Sequence, residues 1–552
     1  MINTKIVSSL EKIFPDEEPV AKPECTNLSG LKKETVSFQI AYYGNVNSKE
    51  YVHLEIDSDI KDWIRVRTVE LVPSALPCNA VYDDNYLRTT PGMFPDLLRD
   101  LKNNQVPVIA HQWRALWIDI TIPEDADPGN YKMSFIMQED SVGEILDTKT
   151  TKIKVIDAML PEQRLIHTEW FHADCLADYY HLRPWSDEYW SMLENFIQEY
   201  GSRGMNAILT PVLTPPLDTA VGGERTTIQL AVIEKNGDGY NFDFSRLKTW
   251  IDICYRYGIR YFEVAHLFTQ WGATSAPKVM AWEDGKPVKI FGWETKSDSL
   301  EYSSFLKQFL TALTEQFRKW GIVDQVYFHT SDEPSEEHLE AYQAARQEID
   351  PYIKGFKTLD ALSDYSFYER GLVEKPVPGT NHIEPFLKAE VPGLWTYYCT
   401  AQSTEVSNRF MSMPSARNRI LGVQLYKFGI EGFLQWGFNF YNSQYSLEHI
   451  NPYAVTDAGS AFPSGDAFLV YPGEEKKPEE SLRLMNLFHA MQDIRAMELL
   501  ESMIGKDEVI KEMEKDLSEE ITFKRYPTSD VWLLGFRERI NDRIETCVRR
   551  AQ

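Results

Sequence analysis

The chain has little cysteine: six residues in 552, Cys25, Cys78, Cys175, Cys254, Cys399 and Cys547, with no CxxC pair. Thiols scattered this way exclude a disulfide framework and a zinc ribbon, and read as reduced side chains. The eleven histidines fall into no HxH or HExxH spacing, so neither a metal nor a cofactor is expected. No apolar run reaches transmembrane length, and the opening MINTKIVSSLEKIFPDEEP lacks the seven-residue apolar core of a secretory leader. The expectation is a cytoplasmic protein without membrane insertion. Basic residues are the minority, 57 against 83 acidic ones, giving a net charge of −26 and a pI of about 4.9. That balance excludes a general affinity for nucleic acid or anionic membranes. Internal repeats and low-complexity tracts are also missing.

What is present divides into three parts. A length of 552 residues exceeds what one core organises, and 43% hydrophobic content is ordinary for a globular protein. Residues 1–160 alternate apolar and polar positions between turn signals, as in TVSFQIAYYG (35–44), YVHLEI (51–56), RALWIDITI (114–122) and YKMSFIM (131–137), which predicts an N-terminal β-sandwich. Between 161 and 450 come eight short apolar segments, mostly separated by helical patterns: LIHTEWFHAD (165–174), MNAILTPVLT (205–214), RYFEVAHLFTQW (260–271), VYFHTSDE (326–333), IKGFKTLDA (353–361), KPVPGTNH (375–382), GLWTYYCT (393–400) and EGFLQWGFN (431–439). Strands alternating with helices imply a parallel sheet, and eight of them a (β/α)8 barrel of the TIM type. The sixth segment is the least strand-like because it carries two prolines. Among the intervening helices, one is expected to be capped by Ser245 with Leu247, Trp250, Ile251 and Cys254 inward; a second buries Leu306, Phe309, Leu313, Phe317 and Trp320 before Gly321. The linker is expected at 157–162. Residues 451–552 read as a smaller mixed α/β region, a strand at 466–473 and a helix over about 478–504, packing on the barrel.

The fourth segment is the most informative. VYFHTSDEP (326–334) is an apolar run that ends in Asp332, Glu333 and a proline. Catalytic groups of barrel enzymes sit at the C-terminal ends of the strands. Neighbouring residues on a strand face opposite ways, so both carboxylates share a pocket only if the strand stops or twists, which Pro334 is expected to enforce. Two carboxylates held close disfavour double ionisation, leaving one protonated and able to act as an acid. The dipeptide alone fits equally well the acidic start of a following helix capped by Ser335.

Several motifs resemble those of glycoside hydrolase family 123: TPVLTPPLDT (210–219), HLFTQWGATSAPK (266–278), FGWET (291–295) and HTSDEP (329–334). The resemblance extends to NYLRTTPGMFPDLL (85–98), WTYYCT (395–400), FLQWGFNFYN (433–442) and GDAFLVYPG (465–473), and so covers most of the chain. The segment 486–500 departs from it by lacking an acid-rich helix. Members of that family are β-N-acetylgalactosaminidases built from a β-sandwich and a catalytic barrel. The resemblance therefore implies an exo-acting enzyme that removes terminal β-linked GalNAc from a glycan or glycoconjugate. It also implies retaining, substrate-assisted chemistry, in which the sugar's 2-acetamido carbonyl attacks the anomeric carbon and no enzyme nucleophile is needed. In that scheme Glu333 is the acid and base, and Asp332 orients the acetamido group and stabilises the oxazolinium.

A galactosaminide pocket needs polar groups on one side and an aromatic face under the ring. Candidates at strand ends are Trp170, His172, His266, Trp271, Tyr397, Tyr398, Trp436 and Asn439, about half of which are expected to be packing residues. Asp218 and Thr219 either touch the sugar or fix a proline-rich turn. Two other functions compete: a conventional retaining glycosidase using Glu169, Glu263 or Asp360 as nucleophile, and a non-catalytic sugar-binding protein.

Overall fold

The computed structural model describes residues 2–20, 27–45, 50–141, 143–270, 272–333 and 336–551. Its N-terminal part is two five-stranded sheets face to face. One orders its strands Ile2–Ser8, Thr35–Gly44, Trp113–Thr121, Ile64–Ser74 and Gly92–Asp100; the other Asn27–Lys32, Ile145–Met159, Gly129–Gln138, Tyr51–Asp57 and Gln105–Pro107. Alternation places Phe38, Ile40, Leu116 and Ile118 of the first sheet against Leu54, Phe135 and Ile153 of the second. The last strand runs to Met159, through the first half of the stretch expected to be linker.

The outer face of the first sheet is not solvated. Val7, Ala41, Trp113 and Trp117 on that face pack against Leu482, Met485 and Phe488 of the helix Leu482–Ile504. The polar members of the alternating pattern are buried there with partners: Ser37 meets His489 at 3.0 Å, and the backbone of Thr35 is clasped by Gln492 at 2.8 and 2.9 Å. On its other side the same helix packs on Ser415–Arg419 and Leu421–Lys427, where a Cβ on Gly422 would come within 2.3 Å of the Ala490 carbonyl. The C-terminal helix thus joins the sandwich to the catalytic part, whereas the sequence placed it on the barrel alone. Fully burying each large apolar side chain in that seam contributes about 1.5–3 kcal/mol, and Trp117→Ala would cost roughly 3–5 kcal/mol.

The catalytic part is a curled parallel sheet with helices around it. Seven strands lie in the order Lys357–Thr358, Val326–Phe328, Tyr261–Val264, Ala207–Thr210, Ile166–Glu169, Gly432–Gln435 and Trp395–Tyr397. The proline-bearing sixth segment supplies only Pro376–Val377, paired with Asp360–Ala361, and a Gly379–Tyr397 bridge leads on to the seventh. Each segment supplies a shorter strand than its apolar run, because the run continues into the loop at the strand's C-terminal end. A four-stranded sheet from the hairpins Val232–Asn236/Gly239–Asp243 and Val279–Glu283/Lys286–Phe291 is inserted in the second and third connections. The helix Ser245–Arg256 buries the expected stripe, but Ser245 is its first residue and bonds Asp243 instead of capping. Leu300–Trp320 is capped by Ser299 and closed by Gly321 in the left-handed conformation; its Trp320 is only half-buried. Of the strand expected at 466–473 only Tyr471–Pro472 forms, and the tail adds helices Lys506–Glu514 and Asp530–Ala551. Among the described residues no helix is long and apolar enough to cross a membrane.

Candidate active site

The strand Val326–Phe328 stops four residues before the acid pair, so the turn begins earlier than the proline; Pro334 and the expected cap Ser335 lie outside the described residues. Three consecutive loop residues are pinned to three neighbours. His329 Nε2 bonds Glu263 at 2.8 Å, the Thr330 N–H donates to Asp360 at 2.9 Å, and the Ser331 hydroxyl donates to the Thr269 carbonyl at 3.1 Å. Glu333 then adopts a left-handed backbone, φ +43°, a conformation that costs a non-glycine residue energy and that the pinned loop imposes. This reversal lets adjacent side chains enter one cavity. Asp332 is half-buried and Glu333 exposed, and the Tyr397 hydroxyl donates to Glu333 Oε1 at 2.7 Å.

Desolvation, and then the charges of Glu333, Asp218 and Asp360, hold the Asp332 carboxyl well above the ordinary carboxylate range. Burial and the Glu333 charge push the Tyr397 phenol upward as well, so it remains a donor.

The cavity has a volume of about 190 Å³. That is below the roughly 300–1,000 Å³ of sites for drug-sized ligands and suits a single small ring. Trp170, His172, Tyr397 and Trp436 line it with the acid pair. His172 is held neutral: its Nε2 donates to the Trp436 carbonyl at 2.8 Å, its Nδ1 accepts from Arg225 at 3.1 Å, and burial together with Arg225 lowers it to about 3. The Trp170 indole donates to Glu263 at 3.2 Å and that of Trp436 to Asp466 at 3.0 Å, fixing both rings.

Three candidates lie outside the lining. Tyr398 points to the opposite side of its strand from Tyr397, packs on Phe433 and donates to Asn418 at 3.3 Å. His266 lies behind Trp170, stacked on His329 at 4.5 Å. Asn439 clasps the His172 backbone with bonds of 2.8 and 3.0 Å and so positions a lining residue. Trp271 lies outside the described residues. Asp218 lines the cavity, and its carboxylate accepts the Tyr445 N–H at 3.0 Å, a bond to a distant loop. Thr219 is buried and bonds the Leu217 carbonyl.

Sequence reasoning missed Gln270, Gln444 and Phe462 in the lining. Gln270 follows the third strand, where strand-end position was a usable signal; Phe462 comes from the C-terminal region, where none existed. The alternative nucleophiles are committed elsewhere. Glu169 pairs with Arg409 at 2.6 Å, Glu263 holds His329 and Trp170, and Asp360 holds Thr330 and Tyr342. None of the three lines the cavity. Among the described residues no three His, Cys, Asp or Glu side chains are grouped as a metal ion would require.

Residues 170–500 match the family model described as glycoside hydrolase 123, catalytic domain. A structure of a family 123 glycoside hydrolase from Clostridium perfringens, studied for glycolipid glycan hydrolysis, is similar with a TM-score of 0.74 at 18% identity, over 100% of this chain and 98% of that one. A family 5 glycoside hydrolase from Bacteroides vulgatus is a far weaker match, with a TM-score of 0.31 at 10% identity over 62% of this chain and 68% of the other, too low to inform the fold. No curated protein sequence matches the chain.

Proposed function

From the premise that this chain belongs to glycoside hydrolase family 123, we propose that it is an exo-acting β-N-acetylgalactosaminidase using retaining, substrate-assisted catalysis. The observation that carries this reading is the acid pair in one ring-sized cavity, Glu333 exposed and Asp332 deeper. A general acid must reach the leaving oxygen at the mouth of the site, and the group that orients the acetamido arm must lie further in. Glu333, steadied by Tyr397, protonates the departing oxygen and then deprotonates the incoming water. Asp332 accepts the acetamido N–H, which aims the carbonyl oxygen at the anomeric carbon. The anion then faces the positive charge of the oxazolinium.

The raised carboxyl is Asp332, while the acid role falls to Glu333. Both hold in one cycle, because an incoming N–H donor and then a neighbouring cation favour the Asp332 anion. The size of the cavity supports removal of one terminal sugar at a time. We read the curled sheet as a (β/α)8 barrel within a division at 1–160, 161–450 and 451–552, with Trp170 and Trp436 as the aromatic walls. The glycolipid glycans of the clostridial relative make glycoconjugates the first natural substrates to test.

The test compares aryl β-GalNAc with the matching aryl β-galactoside. The expected result is turnover of the first and almost none of the second, because the acetamido group is a reactant. Comparable rates would replace this reading with an enzyme nucleophile, and binding without turnover would leave a sugar-binding protein.

A further inference from the structure

The cavity holds a polar pair that the reaction above does not use. Asp218 and Gln270 both line it, and they are joined: the Asp218 N–H donates to Gln270 Oε1 at 2.6 Å. A backbone N–H can meet only the amide oxygen, so this bond leaves the Gln270 Nε2 group as the remaining donor. That nitrogen is buried and has no partner among the described residues, although Gln270 is only 5% exposed. Asp218 uses Oδ2 to accept the Tyr445 N–H, and its Oδ1 makes no hydrogen bond among the described residues.

The pair sits on a rigid base. The Asp218 carbonyl accepts from the Ser446 hydroxyl at 2.7 Å, and the preceding carbonyl of Leu217 accepts from Arg225 at 2.9 Å. Arg225 is itself locked in a buried two-bond pair with Asp174 at 2.7 and 2.8 Å. Asp218 is held with φ +39°, a conformation a non-glycine residue keeps only where its surroundings impose it. A buried donor left open beside a carboxylate oxygen left open calls for a ligand that both accepts and donates, as a sugar hydroxyl does.

The remainder of the lining narrows the class. Three acidic side chains, Asp218, Asp332 and Glu333, face the cavity, its histidine is held neutral, and no lysine or arginine is among the described lining residues. An anionic substituent would be desolvated beside whichever of these acids is ionised, Asp218 among them at neutral pH, with no cation in the described lining to offset it.

We propose that Asp218 and Gln270 form a hydroxyl clamp that makes the pocket specific for an uncharged amino sugar and rejects the same sugar carrying a sulfate ester. This rests on the proposed β-GalNAc activity and specifies its substrate.

The experiment measures kcat/KM of the intact protein on 4-nitrophenyl β-GalNAc and on its 4-sulfate and 6-sulfate, for wild type and Asp218→Asn. Wild type is expected to lose at least about 100-fold on both sulfated substrates. Asp218→Asn is expected to lose about 10- to 100-fold on the neutral sugar, mainly in KM, as a charge-assisted hydrogen bond is removed. The same change removes a repelling charge, so the ratio of sulfated to neutral activity should rise at least about 10-fold. A residue that merely shapes the loop would lower all three substrates together and leave that ratio unmoved, which would overturn the proposal. A sulfated substrate turned over within about 10-fold of the neutral one by wild type would overturn it as well. Should Asp218→Asn not fold, the wild-type comparison decides. Should wild type not hydrolyse aryl β-GalNAc, calorimetric titration with free GalNAc and GalNAc 6-sulfate separates the two failures: preference for the neutral sugar upholds the clamp, and equal or reversed preference overturns it.

Discussion

Two hollows in this protein differ in the opposite sense from their sizes. The cleft between the sandwich and the catalytic part has a volume of about 1,230 Å³, against about 190 Å³ for the cavity of the acid pair. The large cleft is lined with charges that satisfy one another. Arg99 grips Glu479 with bonds of 3.0 and 3.1 Å, Arg65 grips Asp100 at 2.8 and 3.0 Å, and Glu480 is shared by Arg65, Arg67 and Arg203. Among the described residues the small cavity brings three acidic side chains together without a cation and leaves a buried amide donor unmet. Unmet bonding capacity, and not volume, distinguishes a site from a seam.

The largest expected effect is in the small cavity. Glu333→Gln should lower kcat/KM by roughly 10²- to 10⁴-fold on a sugar leaving group, and by much less on an activated phenol that departs unprotonated. Asp332→Asn should be impaired on both, because its role precedes departure. A leaving-group dependence that appeared at Asp332→Asn instead would mean the two roles are reversed.

In the large cleft the effect should be on stability. Glu480→Gln leaves buried arginines, Arg67 among them, without a full counter-charge, and breaking such a cluster costs about 3–5 kcal/mol. Those arginines hold the Glu480 carboxyl far below its usual range. Its contribution is therefore present at neutral pH and lost as pH falls through that depressed value. Urea melts at pH 7 should show the loss, with activity per folded molecule retained; an unchanged midpoint would remove the contrast between the hollows.

Asp332→Asn should move stability the other way. A carboxyl held above its unfolded value weakens the fold where it must ionise, that is, as pH rises from the unfolded value through the raised one. The inactive variant should therefore melt about 1–3 °C higher at pH 8, and the gain should vanish near pH 4. A lower Tm at pH 8 would show Asp332 to be stabilised and not strained. Smallest of all, Arg99→Ala breaks a half-exposed pair at the rim of the large cleft and should cost about 1 kcal/mol or less with no change in kcat/KM.

Period-2 patterning made the sandwich legible, since Phe38, Ile40, Leu116 and Ile118 fall on one face. It misread the other face, because Ser37 and Thr35 look solvated until the chain supplies His489 and Gln492 some 450 positions later, as the 452- and 457-residue separations show. Local polarity carries no record of a distant partner. The catalytic strands were legible as short apolar runs and the acid pair as their abrupt end. The inserted hairpins at 232–243 and 279–291 were hidden because their strands are five or six residues long and two of them, Gly239–Asp243 and Lys286–Phe291, carry no sustained alternation of buried and exposed positions. For the lining, strand-end position found Trp170, His172, Tyr397 and Trp436. It could not choose between Tyr397 and Tyr398, which needed the strand register, and it could not reach Phe462.

The helix Leu482–Ile504 also sets a schedule for biosynthesis. The sheet it covers is complete in sequence at Thr121, and its cover begins at Leu482, 482 − 121 = 361 residues later. At about 5–20 residues per second, a ribosome needs roughly 20–70 s to bridge that interval. Throughout it, Trp113 and Trp117 present an apolar surface with its lid still unsynthesised, the kind of transient exposure that makes a nascent chain prone to aggregate.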